Sequence, residues 1–252
     1  AHIGGLAVVL RSLATGTPLT FAWDDGAATL VSLVPTQLHR LTAAEAGRFR
    51  AILVGGSGDW RAGAGPAANV VSTYGMTETG SGVVYDGLPL DGVEVRVDPA
   101  DEQIFVRGPM LLRAYRDGSD PKTADGWLAT GDAGGLDDGG RLHVRGRMGD
   151  VIVTGGEKVW PEAVERVLRH SPLVSGLADV AIAGVADPEW GRRVVAFVTP
   201  VDPGEPPTLD AVRAAVKAEL PAYCAPKQVV LVKSLPRTTS GKVQRHRLSD
   251  SA

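Results

Sequence analysis

The chain has 252 residues, 44% of them hydrophobic and 22% charged, with a formal net charge of −3, enough for one large domain or two modest ones built around a proper core. The slight acidity gives no footing to nucleic acid or an anionic membrane as partner, and no apolar run approaches the ~18 residues of a membrane span. The single cysteine, Cys224, excludes an internal disulfide or a multi-cysteine zinc site and points to a reducing, cytoplasmic compartment.

The start, Ala1-His2-Ile3-Gly4-Gly5, has neither a basic leader nor an initiator Met, so a trimmed or partial chain is expected. Leu6 to Leu13 reads as a short apolar helix ending near Gly16 and Pro18. Thr29 to Pro35 reads as a strand leading into a helix around Gln37 to Leu41. Ala51 to Val54 is a strand stopping at Gly55-Gly56, and Val70 to Thr73 another, followed by a turn at Gly75. Short apolar strands alternating with helices predict an α/β layer with sites at strand C-terminal ends. From Val93 the period falls to two, in Val93 to Val97, Ile104 to Arg107 and Leu142 to Val144. Asp137-Asp138-Gly139-Gly140 supplies a hairpin turn, so a small antiparallel β-region is expected.

A third texture begins near Asp150. Pro161 to Arg169 is an amphipathic helix with Pro in its first turn. Val180 to Val185 and Val194 to Pro200 read as strands, Leu209 to Leu220 as a helix and Val229 to Val232 as a last strand before a polar, basic tail. This is an α+β unit of roughly 100 residues. The predicted domains are 1–148 and 149–252.

Five segments carry chemistry. Thr73-Tyr74-Gly75-Met76-Thr77-Glu78-Thr79-Gly80 follows a strand and offers hydroxyls, a carboxylate for Mg²⁺ and glycines for close approach to phosphate; a polar turn would have the same composition. Gly55-Gly56-Ser57-Gly58 could lie flat against a planar base or form an ordinary loop. Asp132, in Gly126-Trp127-Leu128-Ala129-Thr130-Gly131-Asp132, is expected at a strand end, suited to ribose hydroxyls or to a turn. Gly146-Arg147-Met148-Gly149-Asp150 runs into Gly155-Gly156 and combines a permanent forked cation with mobile or closely approached backbone; a linker with a solvated Arg is the plain alternative. Lys242 follows Thr238-Thr239-Ser240-Gly241, where it could stabilise charge developing on a phosphate or carboxylate or sit in a solvated tail.

Together, Tyr-Gly-Met-Thr-Glu-Thr, Thr-Gly-Asp, Gly-Arg-x-x-Asp and Thr-x-Ser-Gly-Lys, in this order, resemble the adenylate-forming superfamily of acyl-CoA synthetases, luciferases and adenylation domains over nearly the whole chain. The resemblance implies part of a large N-terminal domain, with α/β layers and a small β-region, followed by a small mobile α+β lid. It implies ATP, Mg²⁺, coenzyme A and a small carboxylic acid as ligands. Tyr74 would stack on adenine lined by Gly55, Gly56 and Ser57. Thr77 would contact the α-phosphate and Glu78 would hold Mg²⁺. Asp132, supported by Arg147, would take the ribose, and Lys242 would bridge carboxylate and α-phosphate. Gly155 and Gly156 would guide the CoA thiol arm. Gly149 would be the hinge, where the family usually carries Asp or Lys. The family's phosphate loop, expected upstream of His2, is not in the chain.

His2-Ile3-Gly4-Gly5-Leu6 with Arg11, and the run from Thr77 to Val93, are similar to o-succinylbenzoyl-CoA synthetases of menaquinone biosynthesis. Small residues share Arg11's helical face, leaving a groove above a cation suited to a second substrate carboxylate; a snorkelling Arg would be placed alike. The resemblance implies that His2 lines the acyl pocket, with Gly80, Ser81 and Gly82 against the aromatic ring. Other readings are a synthetase for another aryl or medium-chain acid, a catalytically incomplete nucleotide-binding fragment, or a module loading a carrier-protein thiol.

Overall fold

The structure, a computed structural model, describes residues 3–23, 26–38, 40–55, 69–238 and 241–249. It divides into two compact units, Ala1–Val144 and Arg145–Ala252, ahead of the 148/149 boundary expected from sequence.

In the first unit, helix α1 (Ile3–Thr15) is followed by β1 (Leu30–Leu33), α2 (Pro35–Leu38), α3 (Ala43–Gly47), β2 (Ala51–Gly55), β3 (Val70–Met76), β4 (Ser81–Tyr85) and β5 (Leu88–Pro89). Helix α3 starts with a reciprocal cap: Glu45 N donates to Thr42 Oγ1 at 3.2 Å, and Thr42 N donates to the Glu45 carboxylate at 2.8 Å. The five strands form one sheet in chain order, parallel from β1 to β3 and antiparallel thereafter. Its core is Leu33, Leu38, Phe49, Ile52, Val54 and Val70.

The turn expected at Gly75 is instead strand. Gly75 pairs with Gly82 of β4 across a register irregularity. A Cβ on Gly75 would stand 2.0 Å from Ser81 O and 2.7 Å from Gly82 Cα, so two backbones pass where no side chain fits. The chain turns after Met76, in a short 3₁₀ segment Thr77–Thr79.

Strands β6 (Glu94–Val97), β7 (Gln103–Arg107), β8 (Leu128–Leu136) and β9 (Leu142–Arg147) form a second sheet in that order. The period of two places Ile104 and Val106 of β7 in the interior opposite Val97 and Val95. At the Asp137 turn, Asp137 Oδ1 accepts from Gly139 N at 2.9 Å and Arg141 N at 2.8 Å. A strand was expected to end at Asp132; β8 instead continues to Leu136, through Gly134 and Gly135, which weaken a β signal. Packing explains Gly134, where a Cβ would meet His143 O at 2.5 Å and Ile104 Cδ1 at 2.9 Å. Asp132 therefore sits inside a strand, not at its end.

The second unit contains the hairpin β10 (Ile152–Thr154) and β11 (Glu157–Val159), helix α4 (Pro161–His170), β12 (Leu177–Asp187), β13 (Gly191–Pro200), α5 (Leu209–Glu219), β14 (Gln228–Leu231) and α6 (Arg245–Ser249). Strands β12, β13 and β14 form one sheet, antiparallel then parallel. Val180, Ile182, Val194, Ala196 and Val198 pack against α4, α5 and the hairpin. The intervening Ala181, Ala183, Val185, Val195 and Phe197 pack against Leu235, Val243 and Leu248. The polar tail is thus folded: α6 and the strand-like segment before it cover the second face. The expected Gly-rich loop at 155–156 is the turn of the β10–β11 hairpin. Among the described residues no helix is long and apolar enough to cross a membrane.

Candidate active site

In the first unit, the end of β3 and the middle of β8 meet through side chains. Tyr74 Oη donates to Asp132 Oδ2 at 2.9 Å. Asp132 is 7% exposed, and its N–H donates to Thr130 Oγ1 at 3.1 Å, which itself donates to Ile104 O at 2.8 Å. Gly131, between them, has φ +72°, a left-handed backbone that glycine adopts most readily. Asp132 is thereby a fixed, nearly buried carboxylate beside a phenol. As an ionised carboxylate it offers only acceptors, the chemistry needed for a pair of sugar hydroxyls.

The following 3₁₀ turn separates its two threonines. Thr79 is buried; its hydroxyl accepts from Met76 N at 2.9 Å and reaches Ser81 O at 2.7 Å, so it locks the turn. Thr77 is exposed. Glu78 O accepts from Leu112 N at 2.8 Å, and Glu78 Oε1 accepts from Tyr115 Oη at 3.1 Å. The hydrogen bond to Glu78 and the loss of hydration push the Tyr115 phenol up from its ordinary range. Glu78 supplies one hard oxygen ligand on a fixed backbone. That donor fits Mg²⁺, which binds through one or two carboxylates together with substrate phosphates. Thr77 and Glu78 would hold the ion and the phosphates, and the ion would supply charge neutralisation there.

Gly55 ends β2 against Thr73, whose Oγ1 donates to Val54 O at 3.2 Å and would stand 3.0 Å from a Cβ at Gly55. Gly56, Ser57 and His2 lie outside the described residues. Gly82 is equally crowded: its Cβ would meet Thr73 Cβ at 3.1 Å and Tyr85 Oη at 3.4 Å. Gly80 has φ +70°, and with Ser81 and Gly82 it forms the return from the 3₁₀ turn into β4. Arg11 is exposed on α1, a helix with no buried residue.

In the second unit, Lys242 stands exposed on a tight turn. Thr238 N donates to Lys242 O at 2.8 Å, Gly241 N to Thr238 O at 2.9 Å, and Lys242 N to Thr238 Oγ1 at 3.1 Å. Arg237 Nη1 donates to Gly241 O at 2.7 Å, and Gly241 has φ +86°. Lys242 and Gly149 line the same cleft of about 370 Å³, with Asp150, Arg192, Thr238 and Arg245. Arg147 is exposed and precedes the short 3₁₀ turn Met148–Asp150 that contains Gly149. Gly155 and Gly156 both have positive φ, +57° and +87°. A Cβ on Gly155 would meet Trp190 Cε3 at 2.7 Å, so close approach, one of the two expectations for this pair, applies there.

Sequence reasoning missed three groups. Tyr115 has no motif around it; only its hydrogen bond to Glu78 singles it out. Thr130 lies in the Thr-Gly-Asp run, but nothing in the sequence gave it a part of its own. Glu162, Glu165 and Arg245 form a largely buried cluster with Asp150. Arg245 Nη2 lies 2.8 Å from Glu165 Oε1 and 3.2 Å from Glu162 Oε1, and its Nη1 lies 3.0 Å from Asp150 Oδ2. Burial first, then Glu165 and Asp150, push Glu162 up to about 7, outweighing the nearby Arg245. The buried position of Glu165 on α4 was the one available signal, since the helix's apolar stripe of Val164, Val167 and Leu168 runs beside it.

A family profile described as "AMP-binding enzyme C-terminal domain" matches residues 163–242. A "Probable 2-succinylbenzoate--CoA ligase" of Mycobacterium tuberculosis is 39% identical over 274 aligned positions, covering 97% of this chain and 70% of the relative. The 2-succinylbenzoate--CoA ligase of Listeria monocytogenes is 30% identical, covering 99% of this chain and 59% of the relative. Among solved structures, the o-succinylbenzoate CoA synthetase of Bacillus subtilis in complex with the acyl-adenylate intermediate OSB-AMP superposes with a TM-score of 0.79 at 26% identity, over 100% of this chain and 59% of that one. ATP-bound MatB from Rhodopseudomonas palustris superposes with a TM-score of 0.75 at 28% identity, over 92% of this chain and 53% of that one. The chain therefore spans from about half to 70% of the length of these relatives, and it belongs to the adenylate-forming, AMP-forming acyl-CoA ligase family.

Proposed function

We propose that this chain is the nucleotide-handling and lid portion of an acid–thiol ligase acting on o-succinylbenzoate in the cytoplasm, in menaquinone biosynthesis. A carboxylate oxygen of the acid attacks the α-phosphorus of ATP, and the bond to pyrophosphate breaks. The CoA sulfur then attacks the acyl carbon, its proton is lost to solvent, and the acyl–phosphate C–O bond breaks to release AMP. The observation that carries this reading is Asp132, nearly buried and held by Tyr74 at 2.9 Å, beside the turn that presents Thr77 and Glu78.

In this reading Tyr74 stacks on adenine along Gly55, Gly56 and Ser57, and Asp132 takes the ribose hydroxyls with support from Arg147. Thr77 contacts the α-phosphate. Lys242 stabilises the charge shared by the attacking carboxylate and the α-phosphate. Gly149 is the point about which the small unit turns between half-reactions, after which Gly155 and Gly156 line the path of the CoA thiol. His2, Gly80, Ser81 and Gly82 line the acyl pocket, and Arg11 pairs with the second carboxylate.

The test is a CoA-release assay with ATP, Mg²⁺, CoA and o-succinylbenzoate against a panel of monocarboxylates. It is run on the 252-residue chain and on the product of the complete gene. Turnover selective for o-succinylbenzoate is expected for the complete product. Turnover with other acids keeps the ligase and removes the substrate assignment. No turnover with any acid removes the acid–CoA ligase reading in favour of a nucleotide-binding fragment or a carrier-protein acceptor. In the complete product, Lys242→Ala is expected to slow acyl-AMP formation by about 10²–10³-fold while sparing thioester formation from pre-made acyl-AMP. Equal loss in both steps would remove the lysine's role.

A further inference from the structure

Arg245 follows Lys242 by three residues and is 13% exposed in its side chain. Its guanidinium reaches acceptors from three other segments. Nη1 pairs with Asp150, the residue after Gly149, at 3.0 Å. Nη2 pairs with Glu165 at 2.8 Å and Glu162 at 3.2 Å, both on α4. Nε donates to Ile182 O in β12 at 3.2 Å. Glu165 is itself anchored, accepting from Ile182 N at 2.8 Å.

Little slack separates this anchor from the lysine. Val243 packs against the Phe197 face of the sheet, and Gln244 N donates to Pro236 O at 2.8 Å. On the other side, a Cβ at Gly146 would lie 2.5 Å from Glu162 Oε2, a buried atom without a hydrogen-bond partner. The backbone on both sides of Arg147 to Gly149 thus rests on the cluster that holds Arg245. A planar fork with several donors can serve these acceptors at once, whereas an ammonium cannot match that geometry.

We infer that Arg245 is a positioning residue that fastens the Lys242 turn to the Gly149–Asp150 segment, so that the lysine and the turning point move as one body. This rests on the reading of Lys242 and Gly149 proposed above. Without the fastening, the Lys242 turn stays attached through Arg237 and Val243, but its backbone is no longer tied to the turning point.

The test uses Arg245→Ala and Arg245→Lys in the complete gene product. Its readouts are acyl-AMP formation, thioester formation from pre-made acyl-AMP, and hydrogen exchange at the amides of Thr238, Gly241 and Lys242. Arg245→Ala is expected to lower kcat for acyl-AMP formation by about 100-fold, as a 1 Å misplacement does, with KM for ATP little changed. It should also remove exchange protection at those three amides while Val195 and Phe197 keep theirs. Arg245→Lys should recover only part of the rate. Wild-type adenylation and wild-type exchange in Arg245→Ala would overturn the inference. If that variant loses protection across β12 and β13, Asp150→Asn replaces it, and unchanged adenylation and exchange there would overturn the inference equally. A Lys242→Ala control that still adenylates would remove the lysine's catalytic reading, and exchange alone would then decide whether Arg245 fastens the turn.

Discussion

In the second unit, the residues of β12 and β13 alternate between two covered faces. In the first unit, α1 carries Leu6, Leu10 and Leu13 at 53%, 53% and 76% exposure and has no buried residue. Both regions have regular hydrophobic patterns. In one the pattern is satisfied by packing, and in the other it fixes only the local helix. A periodic sequence can therefore establish an element without establishing what covers it.

The comparison breaks most readily at the sheet centre. Phe197 is fully buried, and Phe197→Ala is expected to destabilise the second unit by about 3–5 kcal/mol. Leu10→Ala on α1 should fall within about 0.5 kcal/mol of wild type. Denaturant titration followed by hydrogen exchange in β12–β13 and in α1 reads both; equal effects would mean that the two faces are covered alike.

Electrostatics sharpen the same contrast. The second unit buries Glu162, pushed up to about 7 from an ordinary 4.5, against Arg245, Glu165 and Asp150. An acid whose folded pKa is raised holds its proton better when folded, so its contribution is present below about 4.5 and is lost as pH rises through about 7. Glu162→Gln should flatten this part of the stability–pH curve and relieve about 3 kcal/mol above pH 7. The check is the variant-minus-wild-type unfolding free energy at a series of pH values; a difference independent of pH would mean that Glu162 does not titrate there.

A smaller effect than that of Glu162→Gln is expected at the Tyr74–Asp132 pair of the first unit. Tyr74→Phe removes the 2.9 Å hydrogen bond to Asp132, a bond to a charged acceptor worth about 1.5–3 kcal/mol. Because Asp132 keeps its anchored backbone through Thr130, the lower end of that range is expected in the urea midpoint of the first unit.

The candidate site was legible only in combination. Tyr74, Glu78, Asp132, Gly155 and Lys242 occur in short runs that each also had a plain reading, and it was their order along the chain that carried the family resemblance. The helices from Pro161 and Leu209 and the strands around Val180 and Val194 were legible from period and end signals. The extent of strand β8 beyond Asp132 was not, because glycine carries a weak β signal and Gly134 answers to the neighbouring His143 backbone and Ile104 side chain. The chain end read as a solvated tail because eight of its ten residues from Lys242 to Ser251 are polar or charged, and α6 buries only Leu248.

The sequence by itself determined the order of motifs, the three textures and the family resemblance, since these depend on residue type and local spacing. Only the tertiary structure decided which polar groups meet: Arg245 with Asp150, 95 positions apart, Tyr74 with Asp132, 58 apart, and Tyr115 with Glu78, 37 apart. A hydrogen bond forms between groups brought within about 3 Å, and over such separations it is the packing of strands and helices that brings them there.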